Sequence, residues 1–139
     1  MDDCANFFDA DSIEDVKLRN DLKALLAKKE KWQEDFSTCL HYQNEGRALE
    51  KSKDYEQAII SYEKAVSYGE TSSLLQCNDY LYSIQRLAVL YRRMKRYSDE
   101  VAVLKLGLRH RHDKSAYAPF FERLASRLAK AKQLLSSNH

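Results

Sequence analysis

The chain has 139 residues, 44% hydrophobic and 32% charged, with only 3 Gly and 1 Pro, enough for one domain with one core and poor in turn residues. So few breakers, no Asn-Gly or Asp-Gly hairpin signal and no alternating β-branched runs exclude a β-rich fold. The longest apolar runs fall far short of the roughly 18 residues of a membrane span. The formal net charge of +2 conceals an asymmetry: residues 1–70 carry 10 Lys and Arg against 16 Asp and Glu (−6), and residues 71–139 carry 13 against 5 (+8). Such polarity suits an anionic partner for the second half, head-to-tail association, or a helical surface kept soluble.

The opening MDDCANFFDADS is acidic where a secretory signal is basic and then apolar, so a cytoplasmic location is expected. Cys4, Cys39 and Cys77 are too few and too scattered for a disulfide framework or a metal-ligand spacing, and reduced thiols are expected.

Residues 1–10 hold Phe7 and Phe8 without periodicity and read as an arm. An N-terminal helix is expected over 11–37, capped by Asp11 or Ser12. Its Leu18, Leu22, Leu25 and Leu26 share one stripe, and Trp32, Phe36 and Leu40 follow at four-residue spacing. The run Lys28–Lys31 fits a solvated turn or the outer face of one long helix, and a break near 28–37 is the expectation. From Thr38 to Lys51 a second helix carries Gly46, which costs about 1 kcal/mol relative to Ala unless another backbone comes close. Asp54 with Gln57 makes a capping-box pattern, followed by Tyr55, Ala58, Ile59, Tyr62, Ala65 and Val66 on one stripe. Ala58 and Ala65 can face Gly46 and Ala48, so 38–69 reads as an αα-hairpin. Gly69 is expected as a left-handed C-cap, with a loop from Glu70 to Asp79. Further helices are expected over about 80–95, from Tyr97 to about His110, and over about 118–135, the last with Pro119 in its first turn.

Aligning Tyr55 with Tyr97 superposes two hairpins at an offset of 42: Gly46 on Ala88, Leu49 on Tyr91, Tyr62 on Leu104, Ala65 on Gly107. Arg86-Leu87-Ala88 returns as Arg123-Leu124-Ala125, in a helix with no partner after it, as stacked arrays end. The pattern resembles the tetratricopeptide repeat family, which has small residues at the eighth, twentieth and twenty-seventh positions and large apolar ones at the eleventh, seventeenth and twenty-fourth. The first unit offers Gly46, Ala58 and Ala65 with Leu49, Tyr55 and Tyr62; the second offers Ala88 and Gly107 with Tyr91, Tyr97 and Leu104. Glu45 and Glu100 depart from it, neither unit has the closing Pro, and the offset exceeds the usual 34 by about 8 residues. The resemblance covers about 38–111. It implies an all-α fold, a right-handed α-α superhelix of two hairpins (38–69 and 79–112) with the N-terminal helix before and a capping helix at 117–136 after them, in one domain.

No phosphate loop, nucleophile elbow or paired-carboxylate arrangement occurs. His41, His110, His112 and His139 join no cluster with metal spacing. Neither an enzyme nor a cofactor is expected. Nine tyrosines near Arg92, Arg93, Lys95 and Arg96 suit a nucleic-acid platform, but Tyr55, Tyr62, Tyr91 and Tyr97 fall at core positions of the repeat. The resemblance implies a concave face lined by the first helix of each hairpin: Gln43, Arg47 and Glu50, then Gln85, Val89, Arg92 and Arg93, then Glu122 and Ser126. The family's carboxylate clamp uses Lys and Asn where this chain has Gln43 and Arg47, so it does not carry over. The expected function is a non-catalytic protein-protein interaction module holding a peptide or protein segment, acidic by the charge of that face. Binding of anions or nucleic acid by the basic half and self-association into a homo-oligomer remain as alternatives; no membrane partner is expected.

Overall fold

The computed structural model describes residues 13–111 and 118–137, and every element in them is an α-helix: α1 Ile13–Lys51, α2 Tyr55–Thr71, α3 Cys77–Arg93, α4 Tyr97–Leu108 and α5 Ala118–Ser137. The N-terminal arm, the cap at Asp11 or Ser12, Cys4, His112 and His139 lie outside the described residues. By internal contacts the chain forms two units, Met1–Glu34 and Asp35–His139. The described part of the first is helix whose Ile13, Leu18, Leu22, Leu25 and Leu26 are all more than half exposed.

The break expected near 28–37 does not occur, because α1 is one helix of 39 residues. Lys, Glu, Gln and Ala are strong helix formers, and no Gly or Pro stands between 28 and 37 to interrupt them. Asp35 is buried and accepts hydrogen bonds from the hydroxyls of Tyr68 (3.4 Å) and Ser72 (2.8 Å).

In the second unit α2 returns along α1. The ring of Tyr62 seats on Gly46, where a Cβ would meet its Cδ1 at 2.8 Å, so the glycine faces an aromatic ring rather than the expected alanines. Asp54 caps α2, accepting from the Gln57 amide at 3.4 Å. Gly69 is not the helix terminus. It has no positive φ, α2 continues to Thr71, and the Tyr80 ring packs where its side chain would be, leaving no room for a Cβ. The connection is shorter than expected, only 72–76, because α3 begins at Cys77 and absorbs the additional residues in a first turn kinked at Tyr80. Ser72 Oγ accepts from the amides of Leu74 and Leu75, and Asp79 accepts from the Gln76 amide, so this connection is tied at both ends.

α3 then packs on α2, α4 on α3, and α5 on α4, with Leu124 of α5 seated on Gly107 of α4. The 35–51 part of α1 meets α3 through Gln43 and Ser83 and through Glu50 and Arg86, and α3 meets α5 through Arg92 and the Arg127 carbonyl. The second unit therefore has two layers, α1, α3 and α5 against α2 and α4. Tyr62, Tyr80, Ile84, Leu87, Leu104 and Phe120 fill the space between them, at most 2% exposed. Tyr62 and Tyr91 are core, whereas Tyr55 and Tyr97 are half-buried.

Both hairpin turns repeat at the same offset of 42. Lys53 and Lys95 are the two described non-glycine residues at positive φ (66° and 60°). In each turn the lysine amide donates three residues back, Lys53 to Glu50 and Lys95 to Arg92. The next amide donates five back, Asp54 to Leu49 and Arg96 to Tyr91. This left-handed helix stop normally takes Gly. A left-handed L-residue costs roughly 1–2 kcal/mol, and a lysine near the negative helix end recovers about 0.3–1 kcal/mol.

The strain term is the larger, so Lys53→Gly and Lys95→Gly should each raise unfolding stability by about 0.5–1 kcal/mol in a denaturant titration. Gly69→Ala should act oppositely. Overpacking costs about 1–3 kcal/mol at a ring held by the Tyr80 hydroxyl on Glu70, more than Ala's helix advantage of about 1 kcal/mol returns, and the melting temperature should fall.

Candidate functional site: a basic groove between α3 and α5

In the second unit a groove of ≈ 1040 Å³ runs between α3 and α5. From α3 it is lined by Tyr82, Gln85, Arg86, Val89 and Arg92, and from α5 by Glu122, Arg123, Ser126, Arg127 and Lys130. Residues three or four apart project to one side of a helix, which aligns Arg123, Arg127 and Lys130 along α5; with Arg86 and Arg92 of α3, six apart, five cations line the cleft.

These cations differ in what holds them. Arg86 is bound by Glu50, with Nε 3.0 Å from Oε1 and a second, shorter contact through its terminal nitrogen. This hydrogen bond, with the Coulomb pull of the same carboxylate, raises the Arg86 pKa above its ordinary value against the opposing effect of burial. Glu50 also accepts from the Tyr62 hydroxyl at 2.9 Å, and burial followed by that bond pushes the Tyr62 pKa up. The carboxylate thus ties α1, α2 and α3 together.

Arg92 turns toward Glu100 of α4, its Nε 3.0 Å from Oε1 and a terminal nitrogen 2.8 Å from Oε2. Glu100 is fully buried, in the first turn of α4, where the positive helix end favours a carboxylate. Arg127 Nε lies 3.3 Å from the same Oε2, too poorly aligned to be a hydrogen bond, and both atoms lack one. Burial, then the neighbouring Arg92, holds the Arg127 pKa below an arginine's ordinary value against the pull of Glu100. One carboxylate here serves two guanidiniums. Arg123 and Lys130 are exposed and have no ion-pair partner among the described residues.

Of the residues expected on the concave face, Gln85, Val89 and Arg92 line this groove together with Glu122 and Ser126. Arg47 and Glu50 line a smaller adjoining one of ≈ 470 Å³, sharing Tyr82 and Arg86 with the first, and Arg47 lies over the Tyr82 ring at 5.2 Å. Gln43 is half-buried and accepts from the Ser83 hydroxyl at 3.0 Å. Arg93 lines neither groove; its guanidinium stacks 4.4 Å from the Tyr55 ring, where the cation and the aromatic face attract. Sequence reasoning missed Tyr82, Arg86, Arg123, Arg127 and Lys130. A signal was available in Arg86 and Arg123, which head the repeated Arg-Leu-Ala motif.

The two described histidines, His41 and His110, form no common site. His41 pairs with Glu45 one turn on, and His110 Nε2 lies 2.6 Å from Glu70, the carboxylate that accepts from Tyr80. Among the described residues no three His, Cys, Asp or Glu side chains gather as metal ligands would. Cys39 and Cys77 are free and buried, and burial, with Asp79 adding, pushes the Cys39 thiol up to about 11. No described helix is long and apolar enough to cross a membrane.

No protein-family model, curated protein or solved structure matches the chain.

Removing the shared carboxylate should leave two half-buried cations facing each other. Breaking a fully buried pair costs about 3–5 kcal/mol, and the partial exposure of both arginines lowers that. Glu100→Gln should therefore cost about 2 kcal/mol in thermal unfolding, with Arg127→Met in the same chain recovering part of the loss.

Proposed function

We propose that residues 35–137 are a tetratricopeptide-like pair of hairpins with a capping helix, a non-catalytic protein-interaction module that holds an acidic, extended protein segment in the groove between α3 and α5. The fold reading is supported by the repeated left-handed turns at Lys53 and Lys95 and by the alternation of α1, α3 and α5 with α2 and α4. The single observation that carries the functional reading is the surplus of positive charge in the groove. Glu100 is shared between Arg92 and Arg127, while Arg123 and Lys130 stand exposed beside them without an ion-pair partner among the described residues. Guanidiniums bind carboxylates in forked pairs, and Val89 with the Tyr82 ring supplies apolar surface for intervening side chains. Buried free thiols at Cys39 and Cys77 suit a reducing, cytoplasmic setting.

The test is fluorescence anisotropy with a labelled extended peptide alternating Glu or Asp with apolar residues, run beside a single-stranded oligonucleotide of equal charge. The peptide should bind at low salt, and Arg123→Glu with Lys130→Glu should weaken it about tenfold, ~1.4 kcal/mol. Lys105→Glu with Arg109→Glu, outside the groove and of equal charge change, should have little effect. Tighter binding of the oligonucleotide, with strong salt dependence, would replace the peptide by nucleic acid. Equal losses from the Lys105→Glu, Arg109→Glu pair and the groove pair would mean a diffuse charge effect and no groove site.

A further inference from the structure

The described part of the first unit exposes a long apolar stripe. Leu18 is 67% exposed, Leu22 56%, Leu25 64% and Leu26 51%, a row that soluble chains cover. In 13–34 the spacing 15, 18, 22, 25, 29, 32 alternates three and four, the seam of a two-stranded coiled coil with Asp15, Leu22 and Lys29 at the a positions and Leu18, Leu25 and Trp32 at the d positions. Charges flank this seam at the g positions: Glu14, Asp21 and Lys28. Asp21 and Lys28 have no ion-pair partner among the described residues.

We propose that this stretch of α1 pairs with the same stretch of a second copy of the chain, antiparallel, with Leu22 of each packed on Leu25 of the other. In an antiparallel pair each a position faces a d position, and g faces g. With Leu22 opposite Leu25, Leu18 meets the aliphatic stem of Lys29, Asp21 of each copy meets Lys28 of the other, and Leu26 lies against the stem of Arg19. The two-fold symmetry makes each of these contacts twice, as a closed dimer requires. Other arrangements fit worse. A parallel pair sets Asp15 on Asp15 and Lys29 on Lys29 in the seam, and shifting the antiparallel pair by one heptad sets Asp21 on Asp21 and Arg19 on Arg19. Like charges in contact are unfavourable, so charge complementarity selects both the occupant and the register.

Sedimentation equilibrium of the full chain should show a monomer–dimer equilibrium. Leu22→Glu with Leu25→Glu should abolish the dimer while the thermal unfolding of the hairpin unit is unchanged, since neither side chain belongs to its core. Asp21→Lys alone and Lys28→Asp alone should each weaken the dimer, and the two together should restore it. That rescue is specific to the antiparallel register, because a parallel pair does not bring the two positions together. A chain that stays monomeric at all concentrations overturns the proposal and points to residues 1–12 or another protein as the cover. A dimer that survives Leu22→Glu with Leu25→Glu, or is not rescued by the charge exchange, overturns it equally.

Discussion

The geometry of the groove rests on one buried carboxylate. Glu100 stands in the first turn of α4, fully enclosed, and receives Arg92 from α3 and Arg127 from α5. Three helices thereby converge on two oxygen atoms. An unpaired buried carboxylate is prohibitively costly, so it recruits counter-charges or takes up a proton. Here it recruits two guanidiniums, and Arg92 adds a bond to the Arg127 carbonyl at 3.1 Å. That bond fixes the separation of α3 and α5 along the groove. The same contacts set its electrostatics, because the one buried carboxylate lies behind two guanidiniums, and Glu122 is the only carboxylate among the lining residues against five cations.

The two hairpins solve the same charge problem in different ways. At an offset of 42, Glu50 of the first corresponds to Arg92 of the second, and Ala58 corresponds to Glu100. In the first hairpin the carboxylate sits on the first helix and neutralises the arginine of the next one, Arg86. In the second hairpin an arginine occupies that place and the carboxylate has moved to the following helix. Arg123, which repeats Arg86 in its motif, therefore finds no equivalent of Glu50. The exposed cations of α5 are the residue of this exchange, and they give the groove its share of the positive balance of the second half.

Much of the fold was legible because its signals are local. Asp54 as a cap, the start of α4 at Tyr97, Pro119 in the first turn of α5 and the apolar stripes all follow from backbone valences and helical period. The misreadings concern choices that depend on distant residues. Gly69 has the chemistry of a helix stop, yet Tyr80, eleven residues on, occupies the space above it, and the helix continues. Gly46 was rightly marked for close approach, but the approaching group is the Tyr62 ring. Arg93 was placed on the concave face by its position in the repeat, and cation–π attraction to Tyr55 draws it elsewhere. Glu100 stood out as a charge where the repeat has a small residue. Its implication, that arginines must converge on it from two other helices, becomes visible only when α5 is in place.

Within the second unit the pairing of α1 with α2 has a defined end. α2 starts beside the end of α1 and runs back along it until Tyr68 and Ser72 reach Asp35, and there it stops. The stripe that buries Cys39 and half-buries Phe36 continues by spacing into Trp32, Leu25, Leu22 and Leu18, more apolar than the part α2 covers. Most helical stability in proteins comes from packing of an apolar face, and a row of exposed leucines gains nothing from remaining so. A second copy of the same stretch supplies an apolar surface of the matching kind. The alternation of Asp21 and Lys28 about Leu22 and Leu25 has the symmetry of a surface that is its own complement.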